Sequence, residues 1–448
     1  MLAFVKNILG TKVSPIGVDF GSDSLKMAQV HGSGRNLELL AAGSVDVPSH
    51  IRHDASGRLN FYTDAIREIL ASAKFRGRQA VLGLPASSMY IQHLRLPPMD
   101  EEALRKALPW ESRGKLPIDP SHALLRHMVA GEVYAEQEQK SEVIVFAAAR
   151  DMVNQLLAAA SRAKLDVIGM TVEPAATVDC FHRVYRREAD DKVVNCFIDL
   201  GASGTRCFIS RGSQIFFARS ITIGGDHLSR SVSAALKIRL EDAKLRRMAV
   251  CEMEWKKRAS REASPAGGSQ TPASSQPAPA ADAGNQLALL TAAMQAHEKA
   301  APPAAPGTPR PAGTERRNSP KAERPLDLQM EEAEGELALI QQCCREPLSR
   351  LVEELDLCRR YYEATFPQMP IERLIFVGGE ARHRWLCQYL ARELGVTATV
   401  GDPLARMPRN QAGSECGIDR AVPQPNWTVA LGLSMGPREA AQLVRQSA

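Results

Sequence analysis

No apolar run in the chain approaches the ~20 residues that a membrane-spanning helix requires, so a helical span is excluded. Residues 1–10 are mildly amphipathic but too short and polar for a secretory signal, and read as a frayed terminus. Paired cysteines are also lacking. The nine cysteines form no Cys-x-x-Cys unit, and several sit inside apolar runs such as 193–200. They read as small buried hydrophobes in a reducing compartment, not as a disulfide frame or a zinc site. The 10 histidines lie singly, without ligand spacing. A basic face finds no support either. The formal charge is +5, and residues 256–326 alone hold 10 Lys/Arg against 5 Asp/Glu, which is the whole excess. Nucleic-acid binding is therefore not expected. These absences leave a cytoplasmic protein as the expectation.

What is present is ordinary for a soluble globular chain: 448 residues, 44% hydrophobic and 24% charged. That length can bury more than one core. Residues 257–325 turn into Ala, Pro, Ser and Gly and hold 11 of the 28 prolines. Such a composition buries too little apolar surface to offset ordering, so a disordered insertion is expected. Within it, 285–300 carries Leu287, Leu289, Leu290 and Met294, and reads as a fluctuating segment or a docking peptide. On either side, strand-type and helix-type patterns alternate. Strands are expected at 15–20, 25–30, 37–47, 80–84, 90–96, 142–147 and 167–172, with helices at 62–75, 100–113 and 151–163. Strands at 193–200, 206–210 and 214–223 follow, then helices to 249. A long helix over 330–365, a strand at 373–377 and a helix at 381–394 end the pattern. The alternation predicts an α/β protein with central sheets.

The informative feature is a repeat. Ile16-Gly17-Val18-Asp19-Phe20-Gly21-Ser22 is echoed by Cys196-Phe197-Ile198-Asp199-Leu200-Gly201-Ala202. Each copy is an apolar strand ending in Asp-x-Gly, then small polar residues, then a second strand. One copy alone reads as a β-turn. Two in matching context predict like lobes facing one another across a cleft. Gly and Ser at a hairpin tip expose backbone N–H groups that can cradle phosphate oxygens. An Asp at the strand end is repelled by phosphate but can hold a hydrated Mg²⁺. A third segment, Leu374–Glu380, is a buried-type strand ending in Gly378-Gly379 before a helix. Paired glycines there admit a flat ligand close to the backbone, and the helix start favours anions.

Together these segments resemble the phosphate-1, phosphate-2 and adenosine motifs of the actin, hexokinase and heat-shock-chaperone ATPases. The resemblance implies ATP and Mg²⁺ as cofactors. Asp19, Gly21, Ser22 and Ser24, with Lys26 nearby, would contact phosphate and metal from one side. Asp199, Gly201, Ser203, Gly204 and Thr205 would do so from the other. Asp19 and Asp199 would hold Mg²⁺ through water. Gly224, Gly225, Glu241, Lys244, Gly378 and Gly379 would reach ribose and adenine. The segment from Val172 to Thr177 resembles the interdomain hinge helix, where Glu173 would orient a hydrolytic water or simply stabilise the helix start.

Val81-Leu82-Gly83-Leu84-Pro85, Leu94-Arg95-Leu96-Pro97-Pro98-Met99, Leu116-Pro117-Ile118 and Thr428-Val429-Ala430-Leu431-Gly432-Leu433 are similar to the PilM family of type IV pilus assembly proteins. That likeness implies an actin-like, duplicated ribonuclease-H-type fold. A first lobe would span 14–185 and contain an FtsA-type extra subdomain at about 90–163. A second lobe would span 186–436, carry the adenosine motif and return the chain to the first lobe. It further implies capture of a short cytoplasmic peptide of a PilN-like inner-membrane protein, contact with other pilus platform proteins, and peripheral attachment to the membrane through that partner. ATP turnover is left open. Two other readings of the same fold are an FtsA-like polymerising membrane tether and a small-molecule kinase. The tether reading finds only Leu443 and Val444 in the tail 438–448, and no catalytic Asp is identified for the kinase.

Overall fold

The computed structural model describes residues 13–32, 36–52, 54–135, 137–184, 190–263 and 326–436. The chain opens on the meander β1 (Ile16–Phe20), β2 (Ser24–His31) and β3 (Glu38–Asp46), then α1 (Ala55–Ser72) and β4 (Gln79–Leu84). Every residue of β1 is buried, as expected of a central strand covered on both faces. Asp54 starts α1 by accepting a hydrogen bond from the Ser56 amide at 3.0 Å, satisfying a donor that the first turn leaves unpaired.

An excursion follows: β5 (Met89–Leu96), α2 (Glu101–Glu111), β6 (Ala123–Ala135) and β7 (Glu138–Ala149). The chain then returns through α3 (Arg150–Arg162), β8 (Asp166–Val172) and α4 (Glu173–Val184). The second half repeats the opening meander as β9 (Val194–Leu200), β10 (Thr205–Arg211) and β11 (Gln214–Ile221). Then come α5 (Gly225–Leu236), α6 (Leu240–Ala263), α7 (Leu326–Cys343) and α8 (Arg345–Thr365). The last elements are β12 (Arg373–Val377), α9 (Arg384–Leu394), β13 (Ala398–Val400), β14 (Arg409–Glu415) and α10 (Thr428–Ser434).

The duplication is visible in the strand order. One sheet runs β14-β3-β2-β1-β4-β8 and another β11-β10-β9-β12-β13. In both, an antiparallel three-stranded meander is extended by two parallel strands. The first sheet gains β14, which pairs parallel with β3. Chain return is made by α10, which packs on β1 and α4. A Cβ on Gly17 would lie 2.0 Å from Ala430 O, and one on Gly432 would lie 1.9 Å from Ala176 O, so these contacts require glycine.

The excursion forms a third sheet, β5-β7-β6. Leu104 and Leu108 of α2 pack with Leu94, Leu96, Val143 and Val145 into a separate small core. Each buried leucine contributes roughly 1.5–3 kcal/mol relative to exposure. This sheet is tied to the second half through Glu142, which is fully buried. Glu142 accepts hydrogen bonds from Arg95 Nε at 3.0 Å and from the Tyr361 hydroxyl at 2.6 Å. His93 lies between Glu142, at 2.8 Å, and Ala218 O, at 3.0 Å.

Several elements differ from the sequence expectation, which ended at the helix over 381–394 and so did not include β13, β14 or α10. The strand β6 was not foreseen, because its polar residues Arg126, His127, Glu132 and Tyr134 interrupt the apolar alternation. The helix expected over 330–365 is two helices separated at Cys344. Helix α3, grouped above with the small subdomain, packs on α1 and β8 instead. The described residues from 13 to 257 and from 333 to 436 gather into one compact body. Most of the expected insertion 257–325, including 285–300, lies outside the described residues, as do 1–10 and the tail 438–448; α6 itself continues to Ala263.

Candidate functional site

The two look-alike hairpins face one cleft of about 750 Å³. On one side β1 ends at Asp19-Phe20, the tip is Gly21-Ser22-Asp23, and β2 begins at Ser24. On the other, β9 ends at Asp199-Leu200, the tip is Gly201-Ala202-Ser203-Gly204, and β10 begins at Thr205. The backbone amides of Ser22, Ala202 and Ser203 donate to nothing among the described residues. Both tips therefore present free N–H groups where the cleft narrows, and unpaired amides of this kind suit anionic oxygens.

The second tip is the more firmly built. Gly201 N donates to Gly204 O at 3.0 Å, closing the turn. The first amides of α5 are stitched to it, Gly225 N to Gly201 O at 3.0 Å and Asp226 N to Ala202 O at 2.8 Å. Close approach explains the Gly pair. A Cβ on Gly224 would stand 2.5 Å from Gly204 N, and one on Gly225 would stand 2.0 Å from Glu380 Oε1.

Most of the predicted positions line this one cleft. Asp19, Gly21, Ser22, Ser24 and Lys26 do so from the first hairpin, and Asp199, Gly201 and Ser203 from the second. Glu173, Glu241, Lys244, Gly378 and Gly379 complete the wall. Gly204, Thr205, Gly224 and Gly225 stand behind the lining and serve the backbone. Thr205 is fully buried, and its hydroxyl donates to Ile223 O at 2.7 Å, which turns it away from any phosphate. Gly378 adopts φ +89°, and a Cβ there would fall 2.2 Å from Asp199 Oδ1, so this position accepts only glycine. Gly379 is the opposite case. Its backbone is ordinary right-handed helical, at φ −65°, and nothing lies within 4 Å of where a Cβ would be. It faces open space in the cleft.

Charge is concentrated on the floor. Hairpin register sets Asp19 opposite Lys26 and Asp199 opposite Arg206. Arg206 was missed in the sequence, although the fixed hairpin length already places a cation across from each Asp. Its Nη2 donates to Asp199 Oδ2 at 2.8 Å and its Nη1 to Gly204 O at 3.1 Å. Its Nε lies 3.2 Å from Glu173 Oε2 as an ion pair. The three side chains are 12%, 3% and 7% exposed for Arg206, Asp199 and Glu173. The other oxygen of Glu173 accepts from the Ala86 amide at 3.2 Å. One oxygen of Glu173 is thus hydrogen-bonded to the backbone, and the other faces Arg206 in an ion pair without a hydrogen bond.

Burial pushes the Glu173 carboxyl up to about 7 against the pull of Arg206. Burial also raises Asp19 to about 6, with Lys26 opposing and Asp199 adding to the rise. The Asp19 carboxylate lines the cleft and takes no hydrogen bond from the described residues. Lys26 turns instead to Ser24 Oγ, at 2.5 Å.

At the rim, Asp23 pairs with Arg52 at 2.5 Å and also with Lys244 of α6. Behind the Gly378-Gly379 junction, Arg247 pairs with Glu380 and donates to Gly225 O at 2.9 Å and Ser229 Oγ at 2.7 Å. Burial opposes the Glu380 charge, but Arg247 holds its carboxyl below the usual range. This buried pair fixes α6 against the junction and also escaped the sequence, since its partners lie 133 residues apart. Among the described residues no group of three or more His, Cys, Asp or Glu is placed to hold a metal ion.

Residues 17–251 match the family model described as type IV pilus assembly protein PilM. The chain is similar to a solved PilM-PilN type IV pilus biogenesis complex, at 19% identity and a TM-score of 0.63, over 94% of this chain and 98% of that one. Looser likenesses are to the ethanolamine utilization protein EutJ from Carboxydothermus hydrogenoformans (12% identity, TM-score 0.43, covering 95% of this chain and 90% of that one) and to the cytoplasmic domain of EpsL, an inner-membrane component of the Vibrio cholerae type II secretion system (14%, 0.31, covering 49% and 73%). No curated protein matches. The likeness to the first structure shows the fold: duplicated, two-lobed, α/β and actin-like.

Proposed function

The chain belongs to the type IV pilus assembly protein PilM family, and we propose that it works there as an ATP-binding scaffold at the cytoplasmic face of the inner membrane. The observation that carries this reading is the pair of hairpin tips, each with unpaired amides, opening onto one cleft. The triphosphate lies between Ser22 on one side and Ala202 and Ser203 on the other. Ribose and adenine extend toward Gly379, Glu241 and Lys244, where the wall has room for a flat ring. A nucleotide held by both lobes stabilises the closed arrangement through its higher affinity for that state. Closure in turn shapes the surface that receives a short cytoplasmic peptide of a PilN-like membrane protein and sets the scaffold among other platform proteins. Attachment to the membrane runs through that partner; no helix among the described residues is long and apolar enough to cross it.

The Mg²⁺ site expected from Asp19 and Asp199 does not fit as a two-carboxylate site. Arg206 already takes Oδ2 of Asp199, whereas both oxygens of Asp19 stay unbonded. Neither the polymerising-tether nor the kinase alternative is favoured by any group in the cleft.

Gly379→Phe tests the assignment. The ordinary backbone at this position accepts a side chain, and the ring would fill the space given to the adenosine. Calorimetric titration should show ATP binding weakened ~10-fold or more, about 1.4 kcal/mol, with the melting temperature of the free protein unchanged. Unaltered affinity would remove the nucleotide from this cleft.

A further inference from the structure

Resting on the nucleotide reading, we infer that Arg206 is a resident cation that stands where a divalent ion would otherwise be required, so that this chain holds ATP with or without Mg²⁺. Three carboxylates, Asp19, Glu173 and Asp199, line the floor on which the phosphates would rest. Left bare, they would repel a polyphosphate in a poorly screened environment. A hydrated Mg²⁺ commonly offsets such repulsion, held by one or two carboxylates and the phosphates themselves.

Here one of those charges is already offset by the chain. The Arg206 guanidinium contacts Asp199 at 2.8 Å and Glu173 at 3.2 Å, and all three side chains are nearly enclosed. Arginine does not lose its proton in proteins, so this charge is permanent. Its neighbours reinforce it, with Asp199 the strongest, although burial opposes the charge. Arg206 takes only Oδ2 of Asp199, and a dication approaching the other oxygen would meet the guanidinium charge across the same carboxylate and be repelled by it. The first hairpin shows the alternative arrangement. There Lys26, directly opposite Asp19, turns to Ser24 and leaves the carboxylate unbonded. Asp19 keeps both carboxylate oxygens unbonded in the cleft, which makes it the more open of the two anchors for a dication.

The contact also joins the two halves. Asp199 and Arg206 belong to the second sheet, whereas Glu173 opens α4 after β8 of the first. Arg206 therefore holds the cleft floor together in the absence of metal.

The test is a titration of the full chain with a fluorescent ATP analogue in excess Mg²⁺ and in EDTA. The two dissociation constants should differ by less than about 5-fold, under about 1 kcal/mol. The double variant Arg206→Gln, Glu173→Gln keeps neutral hydrogen-bonding groups in the floor and frees Asp199; its affinity in EDTA should fall 5-fold or more below that in Mg²⁺. A native protein that binds in Mg²⁺ and loses 5-fold or more in EDTA overturns the inference and leaves the nucleotide reading standing. A folded double variant that ignores Mg²⁺ also overturns it. Native protein that binds the analogue in neither condition takes down both.

Discussion

Asp19 and Asp199 occupy equivalent places in their hairpins, each opposite a basic residue on the returning strand, yet the two surroundings have diverged. In the first copy Lys26 is drawn to Ser24, and the tip is held by other elements, with the Tyr62 hydroxyl donating to Gly21 O at 3.3 Å and the Val47 amide to Asp23 O at 2.9 Å. In the second, Arg206 locks Asp199 to Glu173, while the first turn of α5 donates amides into the tip. A flexible, strongly hydrated ammonium has become a planar fork that satisfies two carboxylates at once.

The largest effect should come from removing the fork. Arg206→Met leaves Asp199 and Glu173 enclosed without their cation and should cost roughly 3–5 kcal/mol of stability by denaturant unfolding, the range for breaking a buried pair. Lys26→Met, the matching change in the other hairpin, should cost under about 1 kcal/mol, because Lys26 has no carboxylate locked to it. Equal losses would mean that the hairpins are not differently built.

A smaller effect should appear in pH. Glu173 and Asp19 carry carboxyls raised to about 7 and about 6, from usual values of 4.5 and 3.8. The folded state therefore binds more protons than the unfolded state across this window, and stability should fall as pH rises from about 4 to about 7 and then level. Glu173→Gln removes the larger of the two shifts. Its melting temperature should decline less than that of the native chain between pH 5 and pH 7.5. A steeper decline would contradict the placement of Glu173 in an enclosed, charge-dense floor.

Much of this was legible before any coordinates. The repeated Asp-x-Gly hairpins, their separation by a hinge helix and the Gly378-Gly379 junction were all visible as local pattern, because each is a short contiguous segment with a strong backbone requirement. The cross-strand pair of Asp199 and Arg206 was legible in principle from hairpin length alone. The third contact of that fork was not, since Glu173 approaches from another sheet. Arg247 and Glu380 were invisible for the same reason: a buried ion pair leaves no local trace. Strand β6 escaped because its apolar alternation is broken by polar residues. Sequence cannot show which way the Thr205 hydroxyl turns; here it turns to Ile223 O.

The most direct test of a nucleotide clasped from both sides is amide hydrogen exchange at the two tips, around Ser22 and around Ala202 and Ser203, with and without ATP. The account predicts that exchange slows at both tips together on nucleotide addition. Slowing at one tip only, or at neither while ATP binds elsewhere, would contradict it.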